Sequence, residues 1–181
     1  MTDRAELEEM VRRWLAANEA CEAAGDWRPL ADFYTEDATY GWNLGPGEDF
    51  VAVGREEIRD AALGAEMIGL EGWTYPYVRV LIDDRAGEVI GFWRQVADAK
   101  RPDGSPYEVP GIGGSWFRYA GAYQWSWQRD FFDFGNVTAL FMQMIGANAL
   151  SDGMRRRIDR AMSGGRLPGH YRRGAAPIEL W

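Results

Sequence analysis

The sequence predicts an α+β domain in which a curved antiparallel sheet wraps a long N-terminal helix, leaving a cone with an open mouth and extra helices at the C-terminus. Three observations predict it. Apolar residues recur every 3.6 positions between Asp3 and Gly25, long alternating stretches fill Trp73 to Asp133, and after Gly135 the pattern returns to helical spacing.

Asp3 followed by Glu6 is a capping-box pattern, and Leu7, Met10, Val11, Trp14, Leu15 and Cys21 make the stripe of the helix it opens. Asn18 falls on that stripe, so its amide is either satisfied by backbone or lines a wet pocket beside Trp14. Gly25 ends the helix, and Asp26 caps a short second one carrying Leu30, Phe33 and Tyr34. A strand follows from Ala38 to Asn43, with Tyr40 and Trp42 alternating inward, and then an irregular loop, LGPGEDF. A third helix is expected from Arg55 to Met67, with Ile58, Ala61, Ala62 and Ala65 inward.

Trp73 to Asp83 reads as a strand in which Tyr75, Tyr77 and Arg79 alternate with apolar residues. Asp84 to Gly87 turns it into a return strand, Glu88 to Ala99, and Arg101 to Gly111 is a loop punctuated by Pro and Gly. Gly113 to Gly146 then forms two strands joined at Ala120-Gly121 and a break at Gly135-Asn136. An apolar helix from Val137 to Leu150 and a basic one from Met154 to Met162 complete the regular structure. No repeat or linker divides the chain. Residues 1–150 are read as the cone domain and residues 151–181 as a basic helix and tail packed on it.

Composition narrows the chemistry. A net charge of −8 argues against a nucleic-acid partner. No apolar run approaches the roughly 20 residues of a membrane span, and the charged start suggests a cytoplasmic protein. From Met154 onward seven arginines face only Asp159 and Glu179, so this basic end is expected to pair with the acidic body. Cys21 and His170 are the only residues of their kinds, which argues against zinc sites, disulfides within the chain and nucleophile–histidine triads. GIGGSW places Trp116 where a dinucleotide fingerprint needs glycine. No cofactor is expected, and chemistry must come from Asp, Glu, Tyr, Arg and amides.

The last predicted strand supplies the catalytic candidates. In strict alternation Trp125, Trp127, Arg129, Phe131 and Asp133 share one face, while Gln124, Ser126, Gln128 and Asp130 share the other. A carboxylate thus lies on each face. Asp130 is the first candidate for a general base, in a polar wall with Gln128. Asp133 is the second; it either acts in catalysis or pairs with Arg129. Tyr40 is a candidate proton donor. Arg94, in an apolar strand, either faces inward to bind a phenolate or carboxylate or is an ordinary surface cation. His170, in the Gly/Pro-rich tail, is expected to face solvent.

Two segments in order, AAGDWRPLADFYTEDATYGW (residues 23–42) and VGREEI (residues 53–58), resemble the nuclear transport factor 2-like superfamily in its SnoaL-like branch. The segment WSWQRDFFDFGNVTALFMQMIG resembles the end of the sheet in the same branch. The resemblance covers about residues 7–146 and implies the cone fold, with a pocket lined by positions such as Trp14, Asn18, Tyr40, Trp42, Tyr75, Tyr77, Arg94, Trp116 and Gln128. That superfamily includes ketosteroid isomerases, polyketide cyclases, dehydratases and lyases acting on lignin-derived diaryl compounds. The isomerase pattern is not matched: its oxyanion tyrosine falls on Asn18, its base on Trp42 and its second acid near Ser115. The cyclase aspartate matches Asp130 or Asp133, without its partner histidine.

These readings imply a cofactor-independent lyase, isomerase or cyclase acting on a hydrophobic aromatic or polycyclic small molecule, in a homodimer or small homo-oligomer. The alternative is a noncatalytic ligand-binding protein or partner subunit. The first requires a cavity holding a shielded carboxylate; a scaffold would have a filled cone.

Overall fold

The computed structural model describes residues 2–181. Helix α1 (Arg4–Ala24) starts where the Asp3 carboxylate accepts from the Ala5 amide and stops at Gly25, which adopts φ +66°. A 3₁₀ turn (Arg28–Phe33) delivers the chain to β1 (Tyr34–Asn43), and β2 (Glu48–Val53) returns antiparallel to it. Of the loop expected over residues 44–50, residues 44–47 are irregular and Glu48 to Phe50 begin β2.

Where one helix was expected over residues 55–67, the chain makes three short turns. Helix α2 (Arg55–Glu57) runs into a wide turn (Ile58–Ala62), closed by Leu63 N–H to Ile58 C=O, and then a 3₁₀ turn (Ala65–Met67). The widened turn keeps Ile58, Ala61 and Ala62 in the core and carries Glu66 inward.

The meander is also shorter-stranded than alternation implies. Pro76 lacks a donor, so β3 begins only at Tyr77 (Tyr77–Asp83). The return strand divides at Arg94. Strand β4 (Glu88–Trp93) stays in the main sheet, while β5 (Val96–Lys100) pairs with β6 (Pro106–Glu108) in a separate two-stranded ribbon. Strands β7 (Gly113–Gly121) and β8 (Gln124–Phe131) are followed by α3 (Phe134–Gly146) and α4 (Asp152–Met162). Helix α3 starts three residues earlier than expected because Asp133 is its N-cap, accepting from the Asn136 amide at 3.0 Å. The tail adds β9 (His170–Arg172).

The main sheet has the order β3-β4-β7-β8-β1-β2-β9. It is mixed rather than wholly antiparallel, because β1 runs parallel to β8 with Tyr40 opposite Gln128 and Trp42 opposite Asp130. Helix α1 lies against its concave face, where Trp14 makes edge contacts with Phe33, Tyr34, Phe117 and Trp125.

One bulge decides the chemistry of that face. Arg118 pairs with Trp127 and Tyr119 with Trp125, which leaves Ser126 without an opposite residue. The extra residue reverses the alternation. Trp125 is therefore in the core and Gln128 faces the same side, while Trp127 stacks edge-on with Trp116 on the convex side.

The C-terminal residues close the convex face. Arg129 is buried there, donating to Leu180 C=O at 2.5 Å and to the Thr39 hydroxyl and carbonyl, with Trp127 against its guanidinium. It does not pair with Asp133. The basic end reaches acids of the body through Arg157–Glu66, Arg166–Glu48 and Arg173–Asp49. Among the described residues no helix is long and apolar enough to cross a membrane.

Candidate functional site

The cone is open, with a cavity of about 510 Å³ between α1, the concave face of the sheet, and helices α3 and α4. Its wall is mostly apolar, and Trp14, Trp27, Trp42, Trp73, Tyr75 and Trp93 contribute rings.

The floor is polar, and three of its side chains, Tyr40, Gln128 and Ser115, converge on Asp130. Tyr40 donates its hydroxyl to Asp130 Oδ2 at 2.5 Å, and Gln128 Nε2 donates to Oδ1 at 2.8 Å. Gln128 is itself oriented, because its Oε1 accepts from the Tyr34 hydroxyl. Ser115 Oγ accepts from the Trp93 indole at 2.9 Å and from Gln128 Nε2 at 3.4 Å, leaving its own proton for Asp130. Tyr77 accepts from the Trp14 indole at 3.0 Å beside Ser115.

Opposing effects set the proton affinity of Asp130. Burial among the rings raises its pKa, while the donors Gln128, Tyr40 and Ser115 and the charge of Arg129 lower it; burial wins, and the net shift is upward. Burial likewise pushes the phenols of Tyr34 and Tyr40 well up, reinforced by the Asp130 charge, so both stay neutral donors.

The structure thus brings Asp130, Tyr40, Gln128, Trp14, Asn18, Trp42, Tyr75 and Tyr77 to one cavity. Asn18 also satisfies itself, donating to Trp14 C=O at 2.8 Å. Three other candidates lie elsewhere. Asp133 is exposed and spent on capping α3. Arg94 is exposed and forms a two-pronged pair with Glu108, because the chain leaves the main sheet there. Trp116 lies on the convex side, its indole donating to Glu88.

A second polar cluster, at the mouth, was not anticipated. Glu66 is buried and contacts His170 Nε2 at 2.6 Å and Arg157 at 3.1 Å. Burial alone would raise the Glu66 pKa, but the His170 hydrogen bond and the Arg157 charge outweigh it and hold the carboxyl below its ordinary range. His170 is not in solvent as expected; pairing of β9 with β2, His170 opposite Phe50, turns it into the cavity. One sequence signal existed: Glu66 follows Ile58 and Ala62 at four-residue steps, an acid in register with buried positions. Among the described residues no cluster of three or more His, Cys, Asp or Glu is placed to hold a metal ion.

No family model and no curated protein matches the sequence. Solved structures do match. A nuclear transport factor 2-like protein from Anabaena variabilis superposes with a TM-score of 0.53 at 19% identity, over 74% of this chain and 94% of its own. A candidate SnoaL-like polyketide cyclase from Jannaschia sp. CCS1 gives 0.53 at 18% identity, covering 77% of this chain and 96% of its own. SalBIII, an epoxide hydrolase/cyclase-like enzyme of pyran ring formation in the polyether salinomycin, gives 0.53 at 16% identity, covering 75% and 97%. The chain therefore has the nuclear transport factor 2-like cone fold that its sequence segments resemble.

Proposed function

We propose that the chain is a cofactor-independent acid–base enzyme, a lyase, isomerase or cyclase, acting on a hydrophobic aromatic or polycyclic small molecule. The observation that carries this reading is Asp130, a cavity-lining carboxylate of raised proton affinity held by three donors in an aromatic funnel. A raised pKa brings a carboxylate closer to the range where a base works near neutral pH, and matched proton transfer is worth roughly 10²–10⁴-fold.

In the first step a substrate proton passes to Asp130, whose burial favours the neutral acid formed. Protonation weakens the pull of Asp130 on the Tyr40 hydroxyl, which is then free to donate to the oxyanion developing on the substrate. Asp130 returns the proton to a second position for isomerisation, or to the departing group for elimination. The cavity volume fits a molecule of a few rings, and a lignin-derived diaryl compound is of that kind. The candidate SnoaL-like polyketide cyclase and the epoxide hydrolase/cyclase-like enzyme that share this fold accord with such chemistry.

The test is a thermal-shift screen of diaryl and steroid-like compounds, followed by NMR in D₂O for exchange of acidic C–H protons of the hits. Wild type is expected to catalyse exchange or turnover, and Asp130→Asn to lose it by at least about 100-fold. A variant as active as wild type would put the base elsewhere, and hits that bind wild type without exchange or turnover would leave a ligand-binding protein of the same fold.

A further inference from the structure

The cavity is electrically divided. Its acid, Asp130, is at the floor, whereas Arg157 and His170 hold Glu66 at the mouth and Arg160 lines the cavity from the same helix as Arg157. Asp130 and Arg160 both line this one cavity of about 510 Å³, room for a single ligand of a few rings.

Two of the mouth groups are already committed. Arg157 donates to the Glu66 carboxylate and to the Glu66 and Ile68 carbonyls, and His170 is held on the other Glu66 oxygen. Arg160 is different. It is half-buried and lines the cavity, yet among the described residues its guanidinium has neither a carboxylate partner nor a hydrogen-bond acceptor. Its stem is fixed against the turn that follows α4. Arg160 C=O accepts from Gly165 N–H at 3.0 Å, and a Cβ at Gly165 would lie 2.8 Å from Arg160 Cγ. Arg157 and Arg160 are three apart on α4 and so share its cavity face.

An arginine lining an apolar cavity with no partner is open to an anion, and an arginine–carboxylate pair is among the stronger hydrogen-bonded contacts. The surplus decides which anion. Glu66 offsets Arg157, leaving the single charge of Arg160, which suits a monoanion with a planar pair of oxygens. Resting on the proposed function for the cone itself, we infer that the mouth is a carboxylate subsite and that the ligand is an aromatic carboxylic acid, its rings in the funnel and its carboxylate on Arg160. This places the end of the ligand remote from the carboxylate against Asp130 and Tyr40.

Calorimetric titration of biphenyl-4-carboxylate against biphenyl-4-carboxamide tests it. Wild type should bind the carboxylate about tenfold tighter or more, Arg160→Gln should erase the preference, and Arg160→Lys should keep part of it. Asp130→Asn should leave the preference in place. Equal binding of the two probes, no binding of either at millimolar concentration, or an undiminished preference in Arg160→Gln would overturn the inference. An Arg160-dependent preference in a protein whose turnover survives Asp130→Asn would keep this subsite and remove the acid–base reading.

Discussion

The Tyr40 hydroxyl donates to Asp130 Oδ2 at 2.5 Å across the parallel pair β1–β8. The bond joins the two residues on which the proposed chemistry depends and lowers the proton affinity that burial raises. Removing the hydroxyl therefore moves the base further up. Tyr40→Phe is expected to shift the acidic limb of the pH–rate profile to higher pH and to lower kcat by roughly 10–100-fold. A profile displaced to lower pH would contradict the role given to Tyr40.

Stability should carry the sign of the Asp130 shift. A carboxyl whose pKa is higher folded than unfolded gives stability that is fully present below about pH 4 and is lost as pH rises through the folded value. Asp130→Asn should consequently melt above wild type at neutral pH, by roughly 2–4 °C for each kcal/mol released, with the gap closing below about pH 4. Thermal melts of the two proteins across pH measure this.

Glu66 should behave oppositely. Its pKa is depressed, so its contribution is present above the ordinary glutamate value and disappears as pH falls through the folded one. Glu66→Gln removes the acid shared by Arg157 and His170 and is expected to cost about 3–5 kcal/mol at neutral pH, with the loss vanishing in acid. Denaturant unfolding at several pH values distinguishes this from the Asp130 pattern.

The tail is predicted to be part of the fold. Ending the chain at Glu179 would remove the buried Leu180 side chain and the carbonyl that accepts from buried Arg129. The combined loss is about 2–5 kcal/mol in chemical denaturation.

How much of this was legible in the sequence depends on what each residue type constrains locally. The α1 stripe, the capping Asp3 and the cavity positions Trp14, Tyr40 and Trp42 could be read because period and cap chemistry act over a few residues. Asp130 reaches the cavity wall beside Gln128 for a reason alternation alone did not supply. Strict alternation assigned Trp125 and Gln128 to opposite faces, and only the bulge at Ser126 turns them to one. Asp133 was ambiguous because a capping aspartate and a strand aspartate look alike until the helix start is known. Arg94 changed surroundings when the chain left the main sheet for the β5–β6 ribbon. The His170–Glu66–Arg157 cluster joins three segments distant in sequence, and its formation depends on the pairing of β9 with β2.

The central claim is that Asp130 moves the proton. Deuterium incorporation from D₂O into a bound substrate, compared between wild type and Asp130→Asn under saturating conditions, tests it most directly. The account predicts that incorporation falls by at least about 100-fold while the ligand still binds. Incorporation at the wild-type rate in Asp130→Asn would contradict it.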